Sequence, residues 1–143
     1  MTTASRLSAA GLLAIAACGG GTSSGGGGVP INAFTGTLTI TSALPPTAPP
    51  CTPTNTKTVT FTAGGADVHQ VTVAGGDCVQ FVNADAAGHQ PASIGTPACP
   101  ELNAPTVLVM NQPPYTTPPL NGPKTCNWQD ALNPPGGGGG GGY

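Results

Sequence analysis

The run Val71-Thr72-Val73-Ala74-Gly75-Gly76-Asp77-Cys78-Val79-Gln80-Phe81-Val82-Asn83 reads as two short strands joined by a tight turn. Val71 and Val73 alternate with a polar neighbour, as on a half-buried strand, and Val79 and Phe81 do the same after the turn. The pair Gly75-Gly76 followed by Asp77 supplies the conformational freedom and the side-chain acceptor that a turn needs. Working outward, the pattern predicts strands over Phe34–Thr41, Thr58–Thr62, His69–Val73 and Cys78–Val82, then Thr106–Met110 and Lys124–Trp128. Ala63-Gly64-Gly65 forms a second turn, and the proline-rich passage Leu44–Pro53 separates the first two strands. No segment has a helical period and no repeat recurs at fold scale. Short strands punctuated by glycine turns point to an all-β chain, a β-sandwich.

Composition agrees. The 143 residues include 23 glycines and 17 prolines, and neither favours long helices: glycine leaves the backbone unrestricted and proline removes a donor. Only the stretch from Val29 to Pro135 has the makings of a core, so one domain is expected over 29–135. Arg6, Lys57 and Lys124 are the basic residues, set against Asp67, Asp77, Asp85, Glu101 and Asp130. Without a basic patch, nucleic acid is excluded as a partner.

The amino terminus carries the most specific motif. Met1–Arg6 is followed by Leu7–Ala17, an apolar and small-residue run broken only by Ser8. It is too short for a permanent span and reads as the core of an export signal over 1–17. The run ends in Ile15-Ala16-Ala17-Cys18, which resembles the lipobox of bacterial lipoproteins. That resemblance implies cleavage before Cys18 and acylation of its thiol, with a palmitate-type chain making the membrane a partner. Residues 18–28, from the lipidated cysteine through Gly28, form a glycine and serine tether that buries nothing. The expected location is the cell envelope, exported and lipid-anchored, at the outer membrane or a periplasm-facing surface. Gly19 lacks the aspartate that retains some lipoproteins at the inner membrane.

Four cysteines remain beyond Cys18: Cys51, Cys78, Cys99 and Cys126. An even set in an exported chain reads as two disulfides, and three connectivities are open. The expected pairing, Cys51–Cys78 with Cys99–Cys126, closes two loops that each restrict the unfolded chain by about 3 to 4 kcal/mol. A small domain with few aromatic residues needs such support.

The stretch Val71–Asn83, followed by Asp85 and His89, resembles the cupredoxins, the plastocyanin and azurin type of sandwich. His89-Gln90-Pro91-Ala92-Ser93, Cys99-Pro100-Glu101-Leu102-Asn103 and Thr125–Pro134 resemble a bacterial branch of secreted cupredoxin-like proteins. The similarity covers about Thr58 to Pro134. It implies a Greek-key β-sandwich and, in a functional member, a copper site in which His89 is the early ligand. The late loop of the resembling branch reads aromatic-His-Asp-His-Leu-Asn-Pro, whereas this chain has Trp128-Gln129-Asp130-Ala131-Leu132-Asn133-Pro134. Both late histidines are replaced, by an amide and by a methyl group.

A blue-copper site needs two imidazoles and a thiolate. The candidates left here are His89, Cys126 and Met110, with His69 on a strand away from the loop. Cys126 is expected in a disulfide with Cys99. No metal is therefore expected and no cofactor, copper using His89, Cys126 and Met110 being the alternative. The family also closes its sheet with a strand after the ligand loop, where this chain has Gly136–Gly142 and Tyr143. Residues 136–143 are thus expected as a disordered tail and the sandwich as one lacking its last strand.

No Ser-His-Asp signature or phosphate-binding loop is present. Paired carboxylates are also read as absent, with Asp67, Asp77 and Asp85 assigned to turns. The expected function is a non-catalytic binding or structural module of the envelope, not an enzyme, with no protein partner identified. The rival reading is a copper-binding electron-transfer or metal-handling protein that uses His89 and Cys126.

Overall fold

A computed structural model describes residues 34–134. The expected signal at 1–17, Cys18 with its tether over 18–28, and the tail at 136–143 lie outside the described residues.

Eight strands form in chain order: β1 (Thr35–Ile40), β2 (Thr56–Thr62), β3 (Gly65–Ala66), β4 (Gln70–Val73), β5 (Cys78–Asn83), β6 (Pro91–Ile94), β7 (Tyr115–Thr116) and β8 (Lys124–Asp130). A single 3-10 turn at Pro100–Leu102 interrupts them. They build two four-stranded sheets, ordered β4-β1-β8-β6 and β3-β2-β5-β7. Both sheets are mixed: β1 runs parallel to β4 and antiparallel to β8, while β2 runs parallel to β5, which is antiparallel to β7. The chain is all-β in this sense, as the alternating pattern predicts. Among the described residues no helix is long and apolar enough to cross a membrane.

Alternation decides which side chains meet between the sheets, because successive residues of a strand point to opposite faces. Leu38 and Ile40 of β1, Val59 and Phe61 of β2, Val71 and Val73 of β4, and Val79 and Phe81 of β5 are all buried in one core. Trp128 of β8 closes it, meeting Phe61 and Phe81 edge-on at ring-centroid distances of 6.0 and 5.5 Å. Edge-to-face contact is a favoured arrangement for aromatic quadrupoles. Room for the indole comes from Gly36, its register partner on β1, where a Cβ would collide with the ring. The intervening positions Thr35, Thr37 and Thr39 of β1 are half-buried on the other face.

Two disulfides link the described chain, Cys51 to Cys78 and Cys99 to Cys126, with Cα–Cα distances of 5.8 and 6.1 Å. Each joins a loop to a strand, Cys78 beginning β5 and Cys126 lying within β8. The turn after β4 needs glycine twice over. Gly76 adopts φ +95°, and a Cβ on Gly75 would strike the Ala43 carbonyl.

Three features depart from the pattern read along the sequence. Thr106–Met110 is not a strand: Leu108 alone pairs, in an isolated bridge with His89. Val107, Val109 and Met110 stay exposed, and Pro105, Pro113 and Pro114 flank the segment with residues that cannot donate to a ladder. Conversely, Pro91–Ile94 does form a strand, at a sheet edge where an initial proline is tolerated. The two-residue strands β3 and β7 are too short to carry a periodic signal. All four edge strands are short, between two and four residues, which limits unpaired backbone at the rims.

Candidate functional site

The loop after β5 is organised by Asn83, the last residue of that strand. Its Nδ2 donates to the carbonyls of Ala87 at 2.7 Å and Leu108 at 2.9 Å, while its Oδ1 accepts from the Asp85 backbone N–H at 2.6 Å. One buried amide thus shapes the 84–88 loop and ties it to the 105–110 segment. The chain then reaches His89, whose backbone exchanges two hydrogen bonds with Leu108, at 3.0 and 2.7 Å.

His89 is fully buried. Its ring stacks on Phe61 and on Phe34, at centroid distances of 4.8 and 4.9 Å. Nδ1 lies 2.7 Å from Oδ2 of Asp130, and Nε2 lies 3.2 Å from Oδ2 of Asp85. Asp130, the last residue of β8, is itself fully buried. Its Oδ1 accepts from the backbone N–H groups of Gln90 at 2.8 Å and Leu132 at 3.0 Å, and its Oδ2 also accepts from Asn133 Nδ2 at 2.6 Å.

Burial alone pushes the Asp130 carboxyl up, and the four donors from Asn133, Gln90, His89 and Leu132 more than reverse it, so the group titrates below the ordinary carboxylate value. Asp85 behaves alike: desolvation raises it, and the His89 ring with the backbone donors of Ala87 and Ala86 brings it lower. Both groups are therefore carboxylates at neutral pH.

This arrangement corrects the reading that paired carboxylates are absent. Asp85 does sit beside a turn, yet its side chain and that of Asp130 converge on the same imidazole from either side. The convergence requires residues 45 positions apart, delivered by β5's loop and by the end of β8, so no local motif announces it. The i, i+4 spacing of Asp85 and His89 is the one sequence hint.

The candidate metal ligands do not come together. Both ring nitrogens of His89 are engaged by carboxylates, the sulfur of Cys126 is bonded to Cys99, and Met110 is exposed. His69 is exposed, with its Nδ1 2.6 Å from the Thr35 carbonyl oxygen. Gln129 lies in the outward row of β8 beside Thr35 and Ala92, while Ala131 follows the strand and donates its N–H to the Gln90 carbonyl. Between them the inward-facing residue is Asp130, an acceptor for the ring where a soft metal calls for imidazole or thiolate. These residues do not fit a blue-copper centre. Among the described residues no group of three or more His, Cys, Asp or Glu side chains is arranged to hold a metal ion.

The described residues thus define a disulfide-linked sandwich of two mixed β-sheets with a buried Asp–His–Asp network at one end. No protein-family model, curated protein or solved structure matches the chain.

Proposed function

We propose that this protein is an exported, lipid-anchored, cupredoxin-like module of the bacterial envelope that binds or braces other components and catalyses no reaction. The lipobox-like Ile15-Ala16-Ala17-Cys18 supports the anchor, and the Val71–Asn83 pattern with its His89 loop supports the family resemblance. The observation that carries the non-catalytic, copper-free reading is the engagement of His89 on both ring nitrogens within the core. A fully buried imidazole whose two ring nitrogens are taken up by hydrogen bonds to carboxylates offers neither a base to a substrate nor a ligand to copper.

Calorimetric titration of the purified domain with Cu(II) and, under reductant-free anaerobic conditions, Cu(I), read together with visible absorbance, tests the reading. Weak, non-stoichiometric heats with no visible band are expected. One tight equivalent of copper, lost in His89→Gln, overturns it. Metabolic labelling with palmitate tests the anchor separately: incorporation by the wild type and none by Cys18→Ala is expected, and an unlabelled wild type removes the lipid from the proposal.

A further inference from the structure

The partners of His89 constrain its proton count. A neutral imidazole has one N–H donor and one acceptor nitrogen, whereas an ionised carboxylate only accepts. Here Nδ1 faces Asp130 and Nε2 faces Asp85, both within hydrogen-bond distance. With both aspartates ionised, the two contacts are made together only when both ring nitrogens bear protons. Among the described residues the other groups that meet His89 are the Phe34 and Phe61 rings and the Leu108 backbone, none of them titratable.

The two contacts are not equivalent. Asp130 is wholly buried and fixed by three other donors, while the Asp85 side chain keeps 15% of its surface in solvent and belongs to a loop. When the ring has a single proton, Nδ1 retains it for Asp130, and Nε2 turns a lone pair toward the Asp85 carboxylate. That contact becomes repulsive, and Asp85 is the group with access to water.

We propose that His89 is a proton-operated clasp: doubly protonated, it holds the Asp85 loop against the end of the sandwich, and singly protonated, it releases that loop. Acid opens the same contact from the other side, because a protonated Asp85 no longer attracts the charged ring. The loop is therefore held within a pH window and loosened on both flanks. What opens is the 84–88 connection, adjoining the exposed Val107 and Leu132, which approach Gly88.

Two measurements on the metal-free, disulfide-intact protein test this. Nitrogen-15 NMR of the His89 ring reads its protons, and amide hydrogen exchange, corrected for intrinsic rates, reads the loop. As pH is raised over the range in which the protein stays folded, the ring is expected to pass from two protons to one on Nδ1. Protection of the Ala86–Gly88 amides falls about tenfold in step, the scale of one hydrogen bond to a charged group, while Leu38 and Cys126 amides in the β1–β8 ladder hold. In Asp85→Asn, whose amide donates to a neutral ring or accepts from a charged one, loop protection no longer follows the ring. A ring whose proton count does not change over that range overturns the clasp, and so does loop protection that ignores the ring's change of protonation. Copper binding in a separate experiment bears on the proposed function and leaves this result as it stands.

Discussion

The two ends of the sandwich are closed by different chemistry. At the end where β5 begins, Cys78 is covalently tied to Cys51, Asp77 accepts a single turn hydrogen bond from the Ala74 N–H at 2.9 Å, and Leu120 is tied to the turn by backbone bonds with Gly76 and Asp77. At the opposite end, where β5 and β8 finish, no disulfide closes the described chain. A charged network does so instead: Asp130, His89 and Asp85, backed by the Asn83 amide. Covalent closure answers to reductant and charged closure to protons. One small domain thus has a covalently closed end and a charge-closed end, and substitution at either can be read with the other as control.

The largest expected single-site effect is at the charged end. Asp130→Ala leaves the Gln90 and Leu132 N–H groups, the Asn133 amide and the buried ring without their shared acceptor. Removing one member of a buried pair typically costs about 3 to 5 kcal/mol, and the urea midpoint should fall accordingly. A loss under about 1 kcal/mol would mean that water or a rearranged neighbour replaces the carboxylate with ease, and the contrast between the ends would collapse.

Next comes the covalent end. Replacing Cys51 and Cys78 together by alanine should remove about 3 kcal/mol through the unfolded chain, measured by chemical denaturation at neutral pH. The variant should retain the wild-type dependence on acid. If its acid sensitivity changes as well, the two ends are coupled rather than separate.

Acid itself sharpens the comparison. Asp85 and Asp130 both titrate below the ordinary carboxylate value when folded. Their stabilisation is therefore complete above the unfolded carboxylate range, about pH 4, and is lost as pH falls through their lower folded values. Urea midpoints followed downward from neutral pH should decline over that range in the wild type and decline less in Asp85→Asn. The smallest expected effect is Asp77→Ala, about 0.5 to 1 kcal/mol for one exposed turn hydrogen bond. A cost rivalling that of Asp130→Ala would show that position in the turn, not burial, sets an aspartate's importance.

Much of the β architecture was legible because alternation is local. The apolar positions of Leu38 and Ile40, Val59 and Phe61, Val71 and Val73, and Val79 and Phe81 are the buried faces of four strands. Thr106–Met110 misled because alternation records only what a residue could bury, and here flanking prolines and exposure override it. Pro91–Ile94 was missed for the converse reason: an edge strand gains its ladder from β8, which is remote in sequence.

The site divides the same way. His89 stands out from the chain as a loop histidine after a strand ending in asparagine, and the substitutions at Gln129 and Ala131 are plain. What they leave behind is not. Asp85 has the composition of an ordinary turn residue, and Asp130 lies within a motif that draws the eye to its two neighbours.

By itself the sequence determined the strand-rich class, the cysteine count and the absence of late imidazoles in the Trp128–Pro134 segment, since each is a matter of residue identity or local period. Tertiary structure alone decided which cysteines pair, how two mixed sheets are ordered, and that two aspartates enclose one imidazole. Those outcomes depend on strand order and on the burial of charge, and burial belongs to the packed chain: a carboxylate becomes a network member only when folding removes its water and supplies donors in its place.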